Sequence, residues 1–188
     1  MALILASASP RRKELLGLIT SDFRVVTSDV DETLPAGIAP VEAVKLLAER
    51  KARDVAKNHP QDTVIGSDTV VAIDESILGK PADDEDAARM LRSLSGRKHM
   101  VYTGVCVISP EKCSVFAGGA AVKFAEMSEK EIKEYVESGE CRDKAGAYGI
   151  QGYGARYIEY IEGDYYSVMG LPVQLLYKEL RANNCDTA

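Results

Sequence analysis

The stretch "LILASASPRRKELL", residues 3–16, sets a short apolar run directly before a helix that opens at Pro10. Ser9 is a favourable N-cap and proline suits the first helical position, so the segment reads as a strand passing straight into a helix. That succession is the unit from which α/β folds are built. Arg11 and Arg12 fall in the first helical turn, where the free N–H groups already carry partial positive charge. Cations there cost about 0.3 to 1 kcal/mol each unless an anion sits among them, and a helix N-terminus is a good seat for phosphate. Ser7, Ser9, Arg11 and Arg12 are therefore a candidate anion cradle. The same residues also fit two solvated arginines whose small penalty the fold tolerates, and the segment alone leaves both readings open.

Working outward, residues 23–28 (FRVVTS) read as a strand that leads into the acidic turn DVDE at 29–32. From Pro40 to about Lys57, Val41, Val44, Leu47, Ala48 and Val55 share one helical face. TVIGSD reads as an apolar strand closing on Asp68, and TVVAI extends it to a turn at 74–76. Asp83 caps a helix with Ala87, Met90, Leu91 and Leu94 inward, and Gly96 stops it. Residues 99–109 and 114–127 form an antiparallel pair, with a bulge expected at Gly118 and Gly119. Ser128 and Glu131 have capping-box spacing and begin a helix that turns Ile132, Tyr135 and Val136 inward. Residues 143–154 are too glycine-dense for a regular element. Strands ARYIEYIE and YYSVMG are expected on either side of Gly163-Asp164, then a final helix from Pro172 with Val173, Leu176, Tyr177 and Leu180 inward. The result is a mixed α/β fold in a single domain over 1–188, without repeats or a linker.

The chain has 188 residues, 46% of them hydrophobic, which is enough to build a core, and a net charge of -6. Acidity argues against a general nucleic-acid or membrane-surface binder, since both partners are polyanionic. A basic cluster in such a chain implies a small, local anionic partner. Cys106, Cys113, Cys141 and Cys185 lack CxxC spacing and read as buried free thiols rather than a zinc or redox set. No signal peptide pattern and no apolar run of about 20 residues is present, so a soluble, cytoplasmic protein is expected.

Asp68 follows an apolar run beside Gly66 and Thr69, where open α/β sheets place their ligand crevice; a turn-capping aspartate fits the same pattern. Asp29, Asp31 and Glu32 fit hard oxygen-ligand chemistry for Mg²⁺, or simply a solvated acidic turn. Lys51, Lys80 and Lys144 lie near turns or helix faces. Cations together with carboxylates at strand ends suit phosphoryl transfer, which needs charge on phosphate oxygens and carboxylates for a metal. GAYGIQGYG lacks GxGxxG, and GxxxxGK[ST] is absent. Gln151 in that loop offers a donor and an acceptor to a base edge, or else faces solvent. His59 and His99 are the only histidines, leaving little room for histidine catalysis.

In order along the chain, SxSPRRxELL, VDE, GSDTVV, LGKP, LSGRxH, KAGAYGIQG and MGLP resemble the Maf nucleotide pyrophosphatases, nearly end to end. The resemblance implies a fold similar to inosine triphosphate pyrophosphatases, a mixed sheet in two lobes around a central cleft. It implies cleavage of a nucleoside triphosphate between the α and β phosphates, with a divalent cation, Mg²⁺ or Mn²⁺. Asp68 would then accept the proton of the attacking water. Arg12, Thr69 and Gln151 would select the base, the Gln151 amide and Thr69 hydroxyl both giving and accepting hydrogen bonds. Ser7, Arg11, Lys51 and Lys80 would serve the phosphates, and Glu32 with Asp68 the metal. The branch preferring 7-methyl-GTP typically has glutamine at position 69 and glutamate at 151, so GSDT and GIQG resemble the dTTP/UTP branch. A homodimer is a further expectation. A modified nucleotide as substrate, or a nucleotide-binding regulator of septum formation without turnover, are the alternatives.

Overall fold

The computed structural model describes residues 1–74 and 76–183. The opening segment folds as read: β1 (Leu3–Ala6) leads into α1 (Pro10–Leu16), whose Ser9 cap accepts from the Arg12 N–H. Then follow β2 (Arg24–Val25), α2 (Pro40–Ala56), β3 (Thr63–Ile73), β4 (Ser76–Leu78) and α3 (Asp84–Leu94). The second half holds β5 (Lys98–Ile108), β6 (Cys113–Phe124), α4 (Glu129–Glu137), two 3-10 turns, β7 (Ile158–Gly163), α5 (Tyr165–Met169) and α6 (Val173–Ala182). The described strands form one mixed sheet in the order β2-β1-β3-β5-β6-β7, with β4 on β3. β1 pairs parallel with β2 and β3, whereas every other pairing is antiparallel.

β3 runs unbroken for 11 residues, so Asp68 lies at mid-strand and not at a strand end. The Ser67-Asp68 pair interrupts the apolar run without ending the strand, because α2 and the chain after α5 supply partners for both side chains. Ile65 belongs to a core with Leu15, Leu16, Leu171, Leu176 and Leu180, while Val64 packs with Ala48, Ala52 and Cys106. Beyond Asp68, Val71 and Ile73 enter a separate core with Leu91, Phe124, Ile132 and Tyr135. One sheet thus joins cores on either side of the Asp68 position, and the cleft opens there.

Five expectations are corrected. Gly118 and Gly119 stay in register opposite Thr103 and Tyr102, and the irregularity falls between Lys123 and Phe124 on the β7 side. Gly118 instead makes room, since a Cβ there would stand 2.4 Å from Ser167 Oγ. YYSVMG is helix α5 and not a strand: the Asp164 carboxylate accepts from the Tyr166 and Ser167 N–H groups, and Gly170 closes it at φ +116°. In α6, Leu176 and Leu180 are buried but Tyr177 is exposed. Cys113 is exposed, in contrast to Cys106 and Cys141, and Cys185 lies outside the described residues. The segment expected as a strand over 23–28 pairs only at Arg24–Val25.

Candidate active site

α2 lies so close to the sheet that side chains are excluded beneath it. A Cβ on Gly66 would stand 2.2 Å from the Ala48 carbonyl oxygen, and one on Gly104 2.3 Å from that of Val44. The close approach delivers Lys51, buried in the cleft wall, to the carboxylate of Asp68: Nζ donates to Oδ1 at 2.6 Å. The same Nζ meets Glu32 Oε1 at 2.7 Å. Of the acidic turn, only Glu32 reaches the cleft. Asp31 is turned inward on itself, accepting from the Thr33 N–H and hydroxyl, and Arg50 holds the Asp31 and Thr33 carbonyls. The expected trio of converging carboxylates is therefore one carboxylate from the turn and one from β3. Burial alone would raise the Glu32 carboxyl, but the Lys51 bond and the charges of Lys51, Lys80 and Arg12 hold it below its ordinary value.

Successive strand residues point to opposite faces. Asp68 faces α2, while Ser67 and Thr69 face α1 and α5. On that side Arg12 does not stay at its helix end. Its Nε donates to the Gly170 carbonyl at 2.9 Å, Nη2 to Thr69 Oγ1 at 3.1 Å and Nη1 to Ser7 Oγ at 3.3 Å. Burial lowers the Arg12 value, against the pull of the Asp68 carboxylate. The helix-end cradle is thus divided. Arg12 joins the Thr69 side, while Arg11 stands 3.6 Å from Asp143 across the cleft. The Thr69 hydroxyl also lies 2.8 Å from that of Thr103, which donates to the Ser167 carbonyl at 2.6 Å. A hydroxyl has one proton. Thr103 spends its proton on Ser167, so Thr69 donates to Thr103 and can only accept toward the cleft. The expectation that Thr69 both gives and accepts is corrected accordingly.

The loop expected to be irregular is held by a residue that sequence reading passed over. Glu140 accepts from the Tyr135 hydroxyl at 2.8 Å, the Tyr153 N–H at 2.8 Å and the Gly154 N–H at 3.1 Å, while Tyr135 also accepts from the Gly149 N–H. Gln151 is thereby presented, exposed, at the cleft wall. Burial pushes the Glu140 carboxyl up, but these hydrogen bonds outweigh it and hold the value down. A depressed folded value gives stability that is present above the unfolded value and lost as pH falls through the folded one. The clasp is therefore expected to loosen progressively below about pH 4.3. Glu140→Gln turns an amide donor toward a backbone donor, so at neutral pH the Tyr153 and Gly154 amides should exchange about tenfold faster, with the acid dependence reduced. Amide hydrogen exchange between pH 3.5 and 7 checks both.

His99 is removed from the chemistry. It sits between Phe124 and Tyr148, bonded to the Tyr148 hydroxyl, and burial lowers it to about 4.

The cleft encloses about 750 Å³, within the usual range for small-ligand sites. Ser7, Arg11, Arg12, Glu32, Lys51, Asp68, Thr69, Lys80 and Gln151 all line it, so the residues singled out from sequence meet in one place. Among the described residues, no cluster of three or more His, Cys, Asp or Glu side chains is arranged for a metal. Two carboxylates do converge, on Lys51. Such a pair fits Mg²⁺, which takes one or two carboxylates and completes its shell with waters and substrate phosphates.

The family model described as Maf-like protein matches residues 2–183. The chain belongs to this family. A dTTP/UTP pyrophosphatase of Bacillus mycoides (strain KBAB4) is 50% identical over 184 residues, 98% of this chain and 96% of that protein. One of Bacillus cytotoxicus is 51% identical over 178 residues, 95% of this chain and 93% of that protein. In fold, the Maf-like chain is similar to the Staphylococcus aureus Ham1 protein at TM-score 0.52 and 17% identity, covering 96% of this chain and 98% of that one. Among the described residues of this family member, no helix is long and apolar enough to cross a membrane.

Proposed function

We propose that the chain is a nucleoside triphosphate pyrophosphatase acting on dTTP and UTP, adding water across the bond between the α and β phosphates to release the monophosphate and pyrophosphate. The observation that carries this reading is the buried Lys51 gripped by Asp68 and Glu32 at the wall of a cleft that Arg12, Thr69 and Gln151 also line. The names of relatives about 50% identical over almost the full chain support the substrate assignment.

Lys51 occupies Oδ1 of Asp68, which leaves Oδ2 to take the proton of the attacking water. Ser7, Arg11 and Lys80 then meet the phosphates, with Lys51 free to turn from Glu32 onto phosphate oxygen. Glu32 and Asp68 would hold a divalent cation, Mg²⁺ or Mn²⁺. When bound, that cation supplies positive charge to the phosphate oxygens. A screen of triphosphates for pyrophosphate release, with and without Mg²⁺ or Mn²⁺, tests the reading. Turnover of dTTP and UTP ahead of purine triphosphates is expected, and tight dTTP binding without turnover at any metal concentration would replace it with a binding protein.

Base choice follows hydrogen-bond polarity. Gln151 offers a donor and an acceptor, whereas glutamate at 151 only accepts and carries charge against the pyrimidine carbonyls. Gln151→Glu with Thr69→Gln is expected to shift kcat/KM toward 7-methyl-GTP, relative to dTTP and UTP, by about tenfold or more, since an unmatched polar group costs about 1 to 3 kcal/mol. Measuring all three substrates on both proteins decides it, and an unchanged ratio removes both residues from base selection.

A further inference from the structure

We propose that Cys106 and Cys113, at the turn end of the β5–β6 hairpin, are a reversible thiol–disulfide site whose substrate is a low-molecular-weight disulfide of the oxidised-glutathione class. Seven residues apart in sequence, the two thiols meet in the fold, with their sulfurs 3.9 Å apart. Cys106 stands opposite Val115 and Cys113 opposite Ile108, so the cysteines are diagonal neighbours on one face of the ladder. Their surroundings differ. Cys113 is exposed, and the Arg53 guanidinium, itself held by Glu49, reaches to 4.0 Å from its sulfur. Cys106 is fully buried in the core that Ala48 and Ala52 of α2 share. Neither cysteine lines the cleft.

The difference divides the work between them. A thiolate is the attacking species, and it has to be reachable. Solvent brings the small disulfide to Cys113, and Arg53 faces the negative charge that forms there. The Cys113 sulfur attacks one sulfur of the small disulfide, a mixed disulfide forms on Cys113, and one small thiolate leaves. Burial pushes the Cys106 thiol up, so it keeps its proton and does not react first. Its part is to resolve. Already beside Cys113, it attacks that sulfur: the Cys106–Cys113 bond forms, the bond to the second small thiol breaks, and the Cys106 proton leaves with that thiol. Two protein thiols and one small disulfide become one protein disulfide and two small thiols.

Closure needs movement. Diagonal partners stand about 7 to 8 Å apart at Cα and a disulfide spans about 5.5 to 6 Å, so the end of the hairpin has to draw in by about 1 to 2 Å. Ile108 and Cys113 form the last rung of the ladder, with only the turn at 109–112 beyond it, and the sheet yields most easily there. A bond made under such constraint is readily reduced, which makes the exchange reversible.

Trypsin cuts after Lys112 and separates the two cysteines, into residues 99–112 and 113–123. The full chain is incubated with oxidised glutathione, its remaining thiols are alkylated, and its intact mass and tryptic peptides are measured. The expected result is a monomer lighter by about 2 Da, those two peptides joined, and both thiols restored by dithiothreitol. A glutathione adduct that stays on Cys113 while Cys106 is alkylated overturns the assignment. So does a link to Cys141 or Cys185, a disulfide-linked dimer, or no reaction. These outcomes need no variant. In addition, Cys106→Ala should raise the glutathione adduct on Cys113 at least about tenfold over the wild type, because nothing is left to resolve it, and Cys113→Ser should leave Cys106 unmodified. A folded Cys106→Ala protein with no more adduct than the wild type would remove Cys106 from the resolving role and overturn the pair.

Discussion

Asp68→Asn is expected to lower pyrophosphate release by about 10² to 10⁴-fold while the protein stays folded. Loss of rate follows from removing the proposed proton acceptor, the Oδ2 that Lys51 leaves open. Retention of the fold is a separate argument. Removing one partner of a buried ion pair usually costs several kcal/mol because the other charge is stranded. Here Lys51 keeps Glu32 at 2.7 Å, and the asparagine carbonyl still accepts from Nζ, so the lysine is not stranded. Thermal melting and steady-state turnover on the same preparation separate the two effects. A variant with near wild-type turnover would move the proton acceptor elsewhere. A variant that melts far below the wild type would show that Glu32 does not neutralise Lys51 by itself.

Gly66→Ala should be among the most damaging single-methyl additions in the chain. Its Cβ would fall 2.2 Å from the Ala48 carbonyl oxygen and 2.7 Å from the Ala52 nitrogen, both backbone atoms of α2 that cannot swing aside. The helix has to lift from the sheet. Overpacking of this kind costs about 1 to 3 kcal/mol, the upper part of that range applying where backbone must move. For a chain of this size, about 2 to 3 kcal/mol corresponds to a fall in Tm of about 4 to 12 °C. Lys51 rides on the displaced helix, so turnover should fall as well, although no cleft residue is altered. Alanine at Gly79, where nothing lies within 4 Å of the added Cβ, is the control and should melt as the wild type does. Equal melting of both variants would contradict the close seating of α2.

Local signals were legible where one short segment contains both the question and the answer. The Ser128-Glu131 capping box and the Asp83 cap form as their spacing predicts. α5 was misread because Tyr165, Tyr166 and Val168 favour a strand, whereas the flanking Asp164 cap and Gly170 stop decide for helix; five residues carry too little periodicity to outweigh composition. Asp68 was recognised as chemical but placed at a strand end, because the partner that makes a carboxylate tolerable inside a sheet, Lys51, lies 17 residues away. From its own segment Arg12 reads as part of its helix end, and only the family resemblance set it beside Thr69; its three partners come from Ser7, Thr69 and Gly170. Thr103 and Glu140 gave no sign at all. A threonine in a β-run and a glutamate after a helix are ordinary residues until the fold brings Thr69 and the glycine loop against them.

The long strand β3 has a consequence for how the molecule comes apart. Ile65 is held by one core and Val71 and Ile73 by another, with Asp68 between them on the same unbroken ladder to β5. Neither core can melt without fraying a strand that the other core holds, so the two halves are bound to unfold as one cooperative unit. Asp68, the proposed proton acceptor, stands in the middle of that unit, where local opening is rarest. Breathing of the cleft is left to the segments that no ladder restrains, the acidic turn carrying Glu32 and the loop carrying Gln151.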